Sequence, residues 1–121
     1  MRLKILETDF SLCKVRNLAG INYRDPYFFI AKTTAELSLV CSTACVPTNV
    51  MERRDGFKAI VIDEILDFDL LGIIARISQI LAEQQIPVFV VSTYNTDYFL
   101  VQETKLINTL KALSQHGYQI N

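Results

Sequence analysis

A chain of 121 residues has room for one compact body, or for two small lobes that share a core, and no more. Half of its residues are hydrophobic and its acids and bases balance to a formal net charge of -1. That balance gives no electrostatic reason to expect a nucleic acid or an anionic membrane as partner. No stretch approaches the roughly 18 consecutive apolar residues of a membrane span, and Glu7 and Asp9 arrive before a secretory core could form. Three cysteines, Cys13, Cys41 and Cys45, are an odd number without a secretory signal. They predict reduced thiols used as small core residues, and a cytoplasmic setting.

Along the first half, Phe10–Val15, Tyr27–Lys32 and Leu37–Cys41 read as strands, and Ala19–Asp25 as at most a short helical turn before Pro26. No long helix intervenes. After Pro47, the run Arg53-Arg54-Asp55-Gly56 reads as a connection. Residues 1–55 are therefore assigned to a β-rich, incomplete lobe and residues 56–121 to a complete one.

Lys58–Asp63 is rich in β-branched residues and predicts a strand; Leu70, Ile73, Ile74, Ile77, Ile80 and Leu81 then recur at helical spacing. This helix should end near Gln85, because Pro87 biases Ile86 away from helical geometry. Pro87–Val91 and Tyr98–Val101 predict two strands around Ser92-Thr93-Tyr94-Asn95-Thr96-Asp97, a connection without glycine or proline. From Glu103, the residues Leu106, Ile107, Leu110 and Leu113 mark a second helix, with Gly117 placed for a left-handed cap and Tyr118–Ile120 as a short last strand. The order β-α-β-β-α-β predicts an α+β class and a ferredoxin-like fold, an antiparallel sheet with both helices on one face. Lys58–Ile62 is apolar at nearly every position, as though both sheet faces were covered, which predicts a homodimer.

The segment from Leu66 to Val101 resembles the second lobe of small bacterial proteins built from two ACT-like domains, a group related to the cytosolic arginine sensors of animals. Thr33–Cys41, "TTAELSLVC", resembles the corresponding first-lobe segment. The most specific words are Asp67-Phe68, Leu71-Gly72, Ser92-Thr93-Tyr94 and Thr96-Asp97-Tyr98. ACT domains are βαββαβ modules that bind amino acids or other small metabolites between modules and pass the occupancy to an enzyme or partner. The resemblance implies a regulatory sensor and not an enzyme. Its ligand would be a free amino acid at an inter-lobe or inter-subunit interface, and its target a separate enzyme or partner protein. The first lobe departs from the family in lacking an ordinary first helix, and no catalytic domain is fused.

A free amino acid needs an acceptor for its ammonium and donors for its carboxylate. Asp97 suits the first, Ser92 and Thr93 can donate or accept, and Tyr94 can close over an apolar part. The start of the first helix, near Leu71 and Gly72, offers free N–H groups to a carboxylate. Asp67, Phe68 and Thr96 join this set through the resemblance. Each has a structural reading too: Asp97 as acceptor for turn amides, Asp67 and Asp69 as helix N-caps, Gly72 as a packing position, Tyr94 and Tyr98 as interface residues.

Asp63, Glu64, Asp67 and Asp69 do not follow the order of a calcium loop, and Cys41, Cys45 and His116 fall short of a zinc set. With one histidine and no glycine-rich phosphate loop, neither a nucleophilic pair nor a nucleotide cofactor is expected. An RNA-binding sheet would need basic residues among its exposed aromatics, and "VFVVS" and "YFLV" have none. The second reading is an interaction protein whose ACT-like sheets pair with a partner and bind no metabolite.

Overall fold

The computed structural model describes residues 1–121. Its strands are β1 (Arg2–Ile5), β2 (Phe10–Val15), β3 (Phe28–Lys32), β4 (Leu37–Ser42), β5 (Val50–Ile62), β6 (Phe89–Ser92), β7 (Asp97–Gln102) and β8 (Gln119–Ile120); the helices are α1 (Ile73–Glu83) and α2 (Leu106–Gln115). The chain divides into a first unit, Thr8–Phe57, and a second unit of Met1–Glu7 with Lys58–Asn121. The sequence predicts a break between residues 55 and 56, with the first seven residues in the first lobe. Those seven group with the second unit, because they carry β1, which pairs with the end of β5 and with β8.

In the first unit the strand order is β3-β4-β2-β5, all neighbours antiparallel. Cys13, Val15, Leu39 and Cys41 form its buried cluster, with Ile21, Phe28 and Val46 packed against it. Loops and one short 3-10 turn at Thr43–Cys45, not α-helices, join the strands. One is pinned by Asp25, itself 6% exposed, whose carboxylate accepts from the Ser42 amide at 2.9 Å, the Ser42 hydroxyl at 2.5 Å and the Tyr27 amide at 3.1 Å. The connection expected at Arg53-Arg54-Asp55-Gly56 is instead part of β5. Phe10 pairs with Phe57 and Leu12 with Arg54, so β5 holds one extra residue between them. Gly56, at φ +84°, supplies the left-handed backbone that this bulge needs.

In the second unit β1 lies between β5, to which it is antiparallel, and β8, to which it is parallel. β7 pairs with both β5 and β6. Leu3, Ile60, Ile62, Phe99 and Val101 from the sheet meet Ile77, Ile80 and Leu81 of α1 and Ala112 and Leu113 of α2 in one cluster, which sets both helices on the same sheet face. This is the expected α+β, ferredoxin-like arrangement. Ala59, Ile60, Val61 and Ile62 are all at most 5% exposed within the single chain, so their continuous apolar run needs no second copy to cover it.

Both helices end in the same way. Gly117, at φ +91°, sits at the left-handed position expected of it, with its amide bonded to Ser114 O and that of Tyr118 to Leu113 O. After α1 the corresponding bonds run from Gln85 to Ala82 and from Ile86 to Leu81, and Gln85 takes the positive φ of 59°. The start of α1 departs from expectation. Leu70, Leu71 and Gly72 precede the helix, and Leu70 is 52% exposed rather than part of the apolar face. Ile107 of α2 likewise points outward, at 69%.

Candidate functional site

The β6–β7 hairpin explains its missing glycine. The Thr93 amide donates to Thr96 O at 2.8 Å, and the Thr93 hydroxyl accepts from the Thr96 amide at 3.3 Å and donates to Thr96 O at 3.1 Å. A four-residue loop closed by a hydroxyl needs no positive φ, and none occurs there. Asp97 is therefore not the acceptor for turn amides. The Thr96 hydroxyl donates to Ile62 O at 2.9 Å, tying the hairpin to the end of β5, and the Leu66 amide donates to Asn95 O at 2.8 Å, tying it to the loop before α1.

Between this hairpin and the β5–α1 loop lies a cavity of about 440 Å³. Asp67, Phe68, Gly72, Ser92, Thr93, Tyr94, Thr96 and Asp97 all line it. Leu71, expected with them, does not; it points to a smaller cavity of about 310 Å³ beside Arg76, His116 and Tyr118. Leu66, Ile73 and Ile74 are lining residues that the sequence reading did not select for the site, although Ile73 and Ile74 stood in its helical run. Helical spacing alone assigns Ile73 and Ile74 to the core, and Leu66 lies outside that run.

Neither Asp67 nor Asp69 caps the helix. Asp67 accepts from the Asp69 amide at 3.0 Å, and its carbonyl accepts from the Leu70 amide at 3.1 Å, a turn that ends before the helix starts. The N-cap is Gly72, at φ +78°, with no side-chain cap bond. The amides of the first turn, at Ile73, Ile74 and Ala75, thus have no intrahelical or capping partner, and all three residues border the cavity. A helix N-terminus left open in this way favours an anionic group.

Asp97 lines the same cavity at 8% exposure, and its carboxylate makes no hydrogen bond or ion pair within the protein. The Ser92 hydroxyl, its cross-strand neighbour, is likewise without a protein partner. The Thr93 hydroxyl is spent within the hairpin and the Thr96 hydroxyl on Ile62 O. Phe68 and Tyr94 stand fully exposed at the rim, at 98% and 102%. No lysine, arginine, histidine or cysteine lines the cavity, and no three histidine, cysteine, aspartate or glutamate side chains come close enough to hold a metal ion. No helix is long and apolar enough to cross a membrane.

Comparison with curated protein sequences gives no match. Among solved structures, one of a protein from Agrobacterium tumefaciens superposes with a TM-score of 0.86 at 27% identity, covering 99% of this chain and 91% of that one. A protein of unknown function from Vibrio cholerae, described as a possible transport protein, gives 0.70 at 20% identity, with coverage of 92% and 85%. The regulatory subunit of aspartate kinase from Thermus thermophilus, in its ligand-free form, gives 0.60 at 8% identity, with coverage of 92% and 95%. The latter two, at such identities, share the fold. The ACT domain model matches residues 52–115, more than half of the sequence and the stretch that carries most of β5, both helices and the hairpin, and the chain belongs to the ACT domain family.

Proposed function

We propose that this protein is a cytoplasmic, non-catalytic regulatory module that binds a free amino acid in the cavity beside α1. The observation that carries the reading is the pairing of Asp97, a nearly buried carboxylate without a protein partner, with the uncapped first turn of α1 in one cavity. The two features match the ammonium and the carboxylate of an amino acid. Ser92 adds a hydroxyl, and Phe68 and Tyr94 provide apolar surface over the ligand side chain. Asp67 also borders the cavity, while no cation does, so the site favours ligands with ammonium or further cationic groups.

ACT domains as a family are regulatory amino-acid-binding modules, and the Thermus relative is a regulatory subunit, which supports a role exerted on a separate enzyme or partner protein. The strand order β3-β4-β2 of the first unit repeats the order β6-β7-β5 of the second, which supports two ACT-like lobes and the kinship with two-lobed amino acid sensors. A homodimer is part of the same proposal, supported by the exposure of Phe68 and Tyr94 at the cavity rim and of Ile65 and Leu71 near them in the chain.

The test is a thermal-shift screen against the twenty amino acids, repeated with Asp97→Asn. A ligand at a hundred times its dissociation constant adds about 2.7 kcal/mol, a rise of about 4 °C or more for a domain of this size. We expect that rise with one chemical class and its loss in Asp97→Asn. A flat screen of the folded protein would reject amino acid sensing and favour the interaction reading, which the exposed Phe68 and Leu71 also serve.

A further inference from the structure

The hairpins of the two units are built alike. Lys32 pairs with Leu37 at the mouth of one, Ser92 with Asp97 at the mouth of the other. In both, a threonine follows and its hydroxyl takes the turn amides, Thr33 from Ala35 and Glu36 at 3.1 and 3.2 Å, Thr93 from Thr96. Each hairpin also walls a cavity within its own unit, and the facing wall is the segment that follows β2 or β5.

The chemistry of these walls is opposite. The cavity beside β6–β7 bears Asp67 and Asp97 and no cation. The cavity beside β3–β4, about 830 Å³, is bordered by Lys14, Arg16 and Lys32, with Glu36 its only carboxylate. Lys14 reaches Glu52 at 3.8 Å in a solvent-exposed pair that holds it weakly. Arg16 and Lys32 have no ion-pair partner. Leu18 and Leu37 supply apolar surface between the charges.

The Arg16 wall is fixed in place. Asn17 Oδ1 accepts from the Ala19 amide at 3.0 Å and from Asn49 Nδ2 at 2.9 Å. Gly20 packs so closely on Pro47 that an added Cβ would stand 2.7 Å from the Pro47 Cβ. A wall already ordered loses less freedom when it binds.

We infer that this cavity is a second ligand site, with the opposite charge preference, for a small molecule carrying two or more carboxylate or phosphate groups. The guanidinium of Arg16 and the ammonium groups of Lys14 and Lys32 would hold its anionic oxygens by charge-assisted hydrogen bonds. The inference stands apart from amino acid binding beside α1.

It is tested by amide NMR of the full chain at constant ionic strength, titrated with citrate and separately with pyrophosphate. We expect saturable shifts at Arg16–Leu18 and Thr33–Glu36 with at least one probe. Saturation by citrate alone assigns carboxylate recognition, and by pyrophosphate alone phosphate recognition. The double variant Arg16→Ala, Lys32→Ala should raise the dissociation constant about tenfold or more, and Glu36→Gln should lower it roughly twofold to threefold. Shifts that stay linear with both probes, or an affinity unchanged in the double variant, overturn the site. Should the double variant fail to fold, an affinity in Glu36→Gln no better than that of the parent chain overturns it instead.

Discussion

Asp97 is placed where only a ligand or solvent at the cavity mouth can compensate its charge, and a carboxylate so placed weakens the unliganded fold. Asp97→Asn should therefore raise unliganded stability, on the order of 1 kcal/mol, in urea denaturation, while the amino acid response disappears. Asp55 shows the reverse situation. Its carboxylate accepts from the Ser11 hydroxyl at 2.6 Å and from Arg53 at 3.0 Å, and these bonds, Ser11 first, hold its pKa below the usual 3.8. A lowered folded-state pKa stabilises the fold above the unfolded value and is lost as the pH falls below that value through the folded one. Ser11→Ala should flatten the acid limb of a stability–pH curve below about pH 4 and leave the neutral region with a uniform offset. A limb of unchanged slope would remove Ser11 from that role. Cys41 carries its thiol pushed up to about 12 by burial, which keeps it protonated at neutral pH.

The hairpins set the positions of these residues. Thr33→Val and Thr93→Val keep the side-chain shape and delete the hydroxyl, so each should cost about 1 kcal/mol, read as a shift of the denaturant midpoint. Equal costs would show that the two loops are held by the same device. At this scale the sequence was most readable where one signal dominated. β2 matched Phe10–Val15, and Gly117 ended α2 as its position implied. It failed where two signals conflicted. Arg53-Arg54-Asp55-Gly56 has turn chemistry, yet pairing with β2 draws it into a strand and reduces the turn to a bulge at Gly56. The acidic run before α1 looks like a capping signal, but Asp67 closes a local turn first and leaves the cap to Gly72. β1 is short, with one fully buried residue, Leu3, and no alternation long enough to announce it.

For the whole molecule, the candidate site was legible in its residues more than in its geometry. Eight of nine expected residues border one cavity because two short words, Asp67–Gly72 and Ser92–Asp97, lie on neighbouring connections of the ferredoxin-like sheet. Leu71 borders the other cavity, where a left-handed Gly72 turns the chain just after it. The exposed Phe68 and Leu71 carry the prediction of self-association: light scattering of the parent chain at micromolar concentration should give a dimer, and Phe68→Ser with Leu71→Ser a 13.8 kDa species. A monomer in the parent chain would remove the homodimer and leave that apolar rim to a different partner.

The place of β1 bears on how the molecule comes into being. Leu3 pairs with Ile62 on one side and with Ile120 on the other, so β1 can join β5 once Ile62 has been made but gains its second neighbour only with β8. Thr8–Phe57 is continuous in sequence and can close while synthesis continues. The second unit is built from the two ends of the sequence, with contacts of the longest range available, which slows its folding. A nascent chain in that interval exposes the edge of β1 that β8 later covers, while every residue lining the cavity beside α1, from Leu66 to Asp97, precedes β8 in the chain.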